Sequence, residues 1–233
     1  MIRLFAIAFL VLFAGAASAE NVRFPGVTVG NSEAGPEITS WVYKPAGLGP
    51  FPAIILAHTC GGTNPHTDTW GKLLVSWGYL VLAPDSFGPR GVKAVCTTPN
   101  AVTPNMRIAD IAGALDYLAA RPDVVKGKIG IIGHSHGCNP SFDAGIDVPV
   151  LILAGDKDDW TPDERCRLLQ SGLARPQLVE AVYYPNAYHS FDSKAPDRTV
   201  PGAAGKTHRL VYDSAAAPDA EARTKAFFAK YLR

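Results

Sequence analysis

Three uninterrupted apolar runs, Phe51–Ala57, Tyr79–Ala83 and Val148–Ala154, limit what this chain can fold into more than any other feature. Runs this short and this apolar suit strands buried on both faces. Lys128–Ile132 and Val179–Tyr184 read as two further strands. Arg23–Val29 and Ile38–Tyr43 alternate as strands of an antiparallel edge do. Lys44–Pro50 is a turn and Ser86–Pro104 a loop. Helices fall between the strands. Asp68–Trp77 is closed by Gly78. Met106–Ala120 sets Ile108, Ile111, Leu115 and Leu118 at helical spacing and is ended by Arg121-Pro122. Thr161-Pro162-Asp163-Glu164 opens another helix as a capping box, with Thr161 as the N-cap. Pro218–Tyr231 is a last amphipathic helix. Alternating strands and helices place the chain in the α/β class, with a mostly parallel sheet.

The N-terminus reads differently. Met1-Ile2-Arg3 is positively charged, Leu4–Phe13 is almost wholly apolar, and Ala17-Ser18-Ala19 is a small-residue cleavage site. That is the pattern of a secretory signal peptide at residues 1–19, leaving one domain at 20–233. The apolar run is shorter than the roughly 20 residues of a membrane span, and no second span follows. The expected product is exported to the periplasm or secreted. Of 22 basic and 21 acidic residues, Arg3 alone leaves with the signal, so the mature chain has equal numbers of both. It carries no basic patch, which argues against nucleic acid as a partner. Export implies an oxidising compartment, where disulfides persist. The four cysteines, Cys60, Cys96, Cys138 and Cys166, allow three connectivities.

The chemistry begins at Gly133-His134-Ser135-His136-Gly137. This G-x-S-x-G follows a strand directly, and its glycines permit the sharp turn that lifts a serine hydroxyl above a sheet edge. An acid and a histidine follow in the expected order. "AGDKDDW" trails the Val148–Ala154 strand and offers Asp158, with Asp156 and Asp159 as rivals. "YYPNAYHSF" trails the Val179–Tyr184 strand and offers His189. His208 is a weaker candidate because no strand is expected to present it. In this reading Ser135 is the nucleophile, His189 its base and Asp158 the residue that fixes the imidazole tautomer. The oxyanion donors expected are the backbone amides of His136 and of Cys60, the latter in "HTCGG". His134 and His136 could instead bind a metal, but no third ligand is visible and the serine between them explains the spacing. Neither metal nor cofactor is expected. Substrate-pocket candidates are Trp160, Phe87 and Arg90. Trp70 and Trp77 suit a core better.

Taken together, "LAHTCGG", "APDSFGPRG", "GIIGHSHG", "VPVLILAGDKDDWTP" and "YYPNAYHSF" resemble the dienelactone hydrolase family of the α/β-hydrolase superfamily. The resemblance implies a cofactor-free hydrolase of small esters or lactones that uses Ser135, Asp158 and His189. It is closer to the exported branch than to the cytoplasmic enzymes, which carry a cysteine nucleophile and a glutamate where this chain has Ser135 and Thr59. It also implies the disulfides Cys60–Cys96 and Cys138–Cys166. One departure is large. The family places a helix and a strand between the elbow and the strand leading to the acid. Here the ten residues Cys138–Asp147 must make that crossing, so one helix–strand unit is expected to be absent. The Val148 strand must then leave a gap in the sheet or move into the empty position, with Ile129, Ile131 and Leu151 left near open surface. A poor catalyst, or a family member that only binds a ligand or partner, is the alternative this departure raises.

Overall fold

In the computed structural model, which describes residues 18–28, 35–136, 148–172 and 175–233, the apolar runs divide their side chains between two layers. Strands β1 (Ser18–Phe24), β2 (Ile38–Lys44), β3 (Phe51–Ala57), β4 (Leu80–Pro84) and β5 (Val124–Gly133) form one sheet in the order β1-β2-β4-β3-β5. β3 is parallel to both β4 and β5, while β2 runs antiparallel to β1 and β4. Ile54 and Leu56 of β3 and Val81 and Ala83 of β4 face α1 (Pro65–Ser76) and α4 (Ala216–Leu232). Ala53, Ile55, Leu80 and Leu82 face α2 (Pro104–Ala120) on the other side. Strands covered on both faces need apolar residues at every position, which is why these runs are unbroken.

Among the described residues the sheet does not continue past β5. Strands β6 (Val150–Gly155) and β7 (Val179–Tyr184) pair in parallel as a separate two-stranded sheet, with α3 (Asp163–Gly172) between them in sequence. Among the described residues β5 bonds only to β3, so of the two outcomes expected from the short crossing the gap is the one observed. Ile131 of β5 is 53% exposed, and Val148, just before β6, is 64% exposed. Ile129 and Leu151 are half-buried. Helix α4 joins the parts. Phe228 and Leu232 press so closely on Gly130 of β5 that a Cβ there would lie 2.9 Å from each. At its other end Ala216 and Ala220 pack with Leu153, Val182 and Tyr184.

Several boundaries differ from the sequence reading. α1 starts at Pro65 because Asn64 caps it, taking the amides of His66 and Thr67 while the Thr67 hydroxyl takes the Asn64 amide. The antiparallel pair β8 (Arg198–Pro201) and β9 (Thr207–Leu210) was not anticipated. Helix α3 begins at Asp163, and the hydroxyl of Thr161, expected as its cap, donates to Asp158 Oδ2 at 2.7 Å. Most of the expected signal segment lies outside the described residues. Ser18 and Ala19 pair with Lys44 and Tyr43 at the start of β1, and a chain cut after Ala19 keeps the Glu20–Phe24 part of that strand. No helix among the described residues is long and apolar enough to cross a membrane.

Candidate active site

Three strands deliver three side chains to one point. Ser135 follows β5 with φ of 59°, a left-handed conformation that a non-glycine residue holds only where its surroundings enforce it. Its hydroxyl lies 2.9 Å from His189 Nε2 in the loop after β7. His189 Nδ1 lies 2.7 Å from Asp158 Oδ2 in the turn after β6. Neither Asp156 nor Asp159 takes this place. Asp156 accepts the Asn186 amide at 2.6 Å and so fastens the histidine loop, and Asp159 lies 3.2 Å from His208 Nδ1.

The acid turn is built to hold a charge. Asp158 Oδ1 accepts the amides of Trp160 and Thr161, both at 2.8 Å. Burial raises the Asp158 pKa, but the bonds from His189 and Thr161 outweigh it and hold the carboxyl below its ordinary value. Gly155 sets the approach of this turn to the histidine loop. The Ala187 carbonyl accepts the Lys157 amide at 3.0 Å, and a Cβ on Gly155 would run into that same carbonyl. Gly155→Ala is therefore expected to cost about 1–3 kcal/mol of stability by overpacking and to separate Asp158 from His189. Chemical denaturation and the ester rate of the folded variant check both parts.

Below the serine, the loop after β3 turns at Gly62, whose φ is +76° and whose Cβ would lie 2.8 Å from the Lys93 carbonyl. Cys60 in this loop is bonded to Cys96, and the Cys60 carbonyl accepts the Val95 amide at 2.8 Å. The amides of Cys60 and His136 donate to no acceptor among the described residues. The other expected disulfide is not described, because Cys138 lies outside the described residues. Cys166 is buried on α3 beside Ile152 and Val179.

Arg107 was missed in the sequence. Its guanidinium is buried, donates to the His58 carbonyl at 2.6 Å and to His136 Nδ1 at 3.3 Å, and so ties the loop after β3 to the elbow. Burial lowers its pKa to about 10, which leaves it charged at neutral pH. Burial, with Arg107 next, pushes His136 down from its ordinary value. A cation among the apolar positions of α2 was the available signal. The buried His58 behind the same loop was also missed.

Two pocket candidates are corrected. Phe87 is 1% exposed, packed with Cys60, Val95 and Val102 in the core of the loop. Arg90 forms a fork with Asp110, two bonds of 2.9 Å, and also donates to the Ser86 carbonyl, so its charge is satisfied internally. Trp160 does lie at the site, with its ring centroid 5.0 Å from that of His189. His208 stacks on the same Trp160 ring at 4.6 Å and, contrary to expectation, is presented by a strand, β9.

His134 and His136 do not act as a pair. His136 faces Arg107, whereas His134 meets His66 and Asp192, neither of which the sequence linked to it. Asp192 Oδ2 accepts from His66 Nε2 at 2.8 Å and from Trp70 Nε1 at 2.9 Å, and lies 3.9 Å from His134 Nε2. Burial alone would raise Asp192, but the His66 bond and the neighbouring His134 hold it well below the usual carboxylate range. Burial pushes His134 down to about 4, so it is neutral near pH 7.

Known proteins resemble this chain in sequence and in fold. The sequence model of the Dienelactone hydrolase family matches the chain in two stretches, residues 38–145 and 140–232, which meet in the short crossing between β5 and β6. A Yersinia pestis protein named "Putative carboxymethylenebutenolidase" is 24% identical over 202 residues, covering 68% of this chain and 76% of its own. A "Dienelactone Hydrolase-like Promiscuous Phosphotriesterase" from metagenomic libraries superposes with a TM-score of 0.67 at 20% identity, covering 94% of this chain and all of its own. A dienelactone hydrolase from Anabaena variabilis superposes with a TM-score of 0.63 at 17% identity, covering 92% of this chain and 99% of its own. At such identities the structural likeness speaks for the α/β-hydrolase fold. The sequence match adds the lineage, since it runs from β2 through the loop after β3, the elbow and both later loops into α4, and by it this chain belongs to the dienelactone hydrolase family.

Proposed function

We propose that the protein is a serine hydrolase that cleaves small carboxylic esters or lactones through Ser135, His189 and Asp158. The observation that carries this reading is the continuous bond chain from Ser135 Oγ through His189 to Asp158, formed on a serine held in the strained elbow conformation. His189 Nε2 takes the hydroxyl proton as Ser135 Oγ attacks the carbonyl carbon. Asp158 stabilises the imidazolium that results. The negative charge moves to the carbonyl oxygen, where the amides of Cys60 and His136 are the proposed donors. Losing one such donor typically costs about 3 kcal/mol of transition-state stabilisation. The imidazolium then protonates the leaving alcohol, and water releases the acid by the same steps in reverse. Arg107 is a positioning residue in this scheme, since it holds both donor segments. Trp160 forms an apolar wall beside the base.

We also infer that the mature protein is exported, with cleavage after Ala19. The Cys60–Cys96 bond supports this, because such bonds persist in oxidising compartments. A fluorophosphonate probe tests the catalytic reading. The folded protein is expected to label at one site, and Ser135→Ala to remove the label. Folded wild-type protein that takes no label would instead be a family member that only binds.

A further inference from the structure

We propose that His66, His134 and Asp192 form a binding site for a single divalent transition ion of the zinc type. The three come from separate elements: the first turn of α1, the residue before Ser135 and the loop after His189. Two imidazoles and a carboxylate are a donor set that zinc takes in sites with an open fourth position. The dimensions agree with that use. Bonds of about 2.0–2.1 Å in tetrahedral array place ligand atoms about 3.3 Å apart. His66 Nε2 and His134 Nε2 lie 2.8 and 3.9 Å from Asp192 Oδ2, one about half an ångström too near and the other about as much too far. All three ligand atoms lie within 4.8 Å of one another. Small side-chain adjustments therefore open a tetrahedral seat without moving a strand.

The surroundings favour an ion as well. The three side chains are 15–17% exposed, withdrawn from bulk water yet reachable. Trp70 Nε1 donates to the liganding carboxylate and fixes its orientation, the task that outer hydrogen bonds perform in metal sites. Proton accounting is simple. On binding, His66 Nε2 releases to solvent the proton it donates to Asp192, and its lone pair goes to the ion.

The test uses the whole folded protein, stripped of metal, titrated with Co2+ and then Zn2+. One Co2+ per chain is expected, with visible ligand-field bands that Zn2+ abolishes, and Zn2+ should raise the melting temperature. His66→Gln, whose side chain sits at the start of α1, is expected to weaken Zn2+ binding at least about tenfold and to remove the thermal shift. Asp192→Asn should do the same, and Trp70→Phe should weaken binding by a smaller factor. Absence of bands and of binding heat at millimolar metal overturns the proposal. So does binding that His66→Gln leaves unchanged in a variant with wild-type circular dichroism, since the ion would then sit elsewhere, for example at His189 and Asp158.

Discussion

If the proposed triad operates, Asp158→Asn is expected to lower kcat on a simple aryl ester by about ten-thousand-fold in a protein that stays folded. The size follows from what the substitution keeps and what it inverts. The amides of Trp160 and Thr161 both bond to Oδ1, and an asparagine oxygen can hold both. The other position now carries an NH2 group facing His189 Nδ1, where Asp158 Oδ2 lay 2.7 Å away. That group donates, so Nδ1 must accept. The ring proton is then on Nε2, which faces Ser135 and can no longer take the hydroxyl proton. Thr161 Oγ1 can turn from donor to acceptor, which keeps the turn intact. A thermal melt close to wild type with the rate collapsed is the expected pair of results. A rate within threefold of wild type would remove Asp158 from the mechanism.

A large effect on stability is expected from pH. His58 is almost fully buried and must be neutral to fit its place. Its Nδ1–H donates to the Thr59 carbonyl at 2.8 Å, while Nε2 accepts the Ser86 amide at 3.2 Å. Burial, then the Arg107 charge, lowers its pKa to about 4, with His136 acting in the same direction and the Thr59 bond and Asp85 opposing. The unfolded chain therefore binds a proton at this position near pH 6.5, before the folded one does. Stability is lost as pH falls from about 6.5 to about 4 and does not change further from this source below that. The whole loss is about 3 kcal/mol. Urea unfolding across this range should show it. His58→Gln, which cannot titrate, should reduce the slope of stability against pH by about one proton whatever its starting stability. An unchanged slope would show that His58 is not the group responsible.

How far the chain could be read depended on the range of the interactions. β3, β4 and β7 were legible because burial on two faces, or presentation from one strand, leaves its mark within a few residues. Ser135, Asp158 and His189 were legible because each stands just past a strand end, and parallel strands bring those ends together. The start of α1 was lost by reading Asp68 as the first turn, although Asn64 and Thr67 already spelt a cap. β8 and β9 are four residues each; β8 is largely exposed, and β9 buries His208 and Leu210 in alternation, a pattern too short and too polar to detect in the sequence. The Thr161 motif had two possible uses, and the carboxylate of Asp158 won the hydroxyl. The meeting of His66 with His134 and Asp192 depends wholly on tertiary placement, and so do the partners of Arg107, whose only mark in the sequence is a cation among the apolar positions of α2. The fork that withdraws Arg90 from the pocket depends on tertiary placement too.

The break beside β5 divides the reacting groups as well as the sheet. The alcohol rides on the five-stranded part, and both members of the base pair ride on β6–β7, so the contact between Ser135 and His189 is a joint between two separately hydrogen-bonded bodies. No strand-to-strand ladder fixes that joint among the described residues. Its alignment is carried by α4, seated on Gly130 at one end and on Tyr184 at the other, and by the few bonds that α1 makes to the segment after His189. Bodies tied in this way can part at a lower free energy than either needs to unfold. An aligned and a misaligned form of an otherwise intact protein are thus the two states expected in solution, and under the proposed mechanism turnover would come from the aligned one.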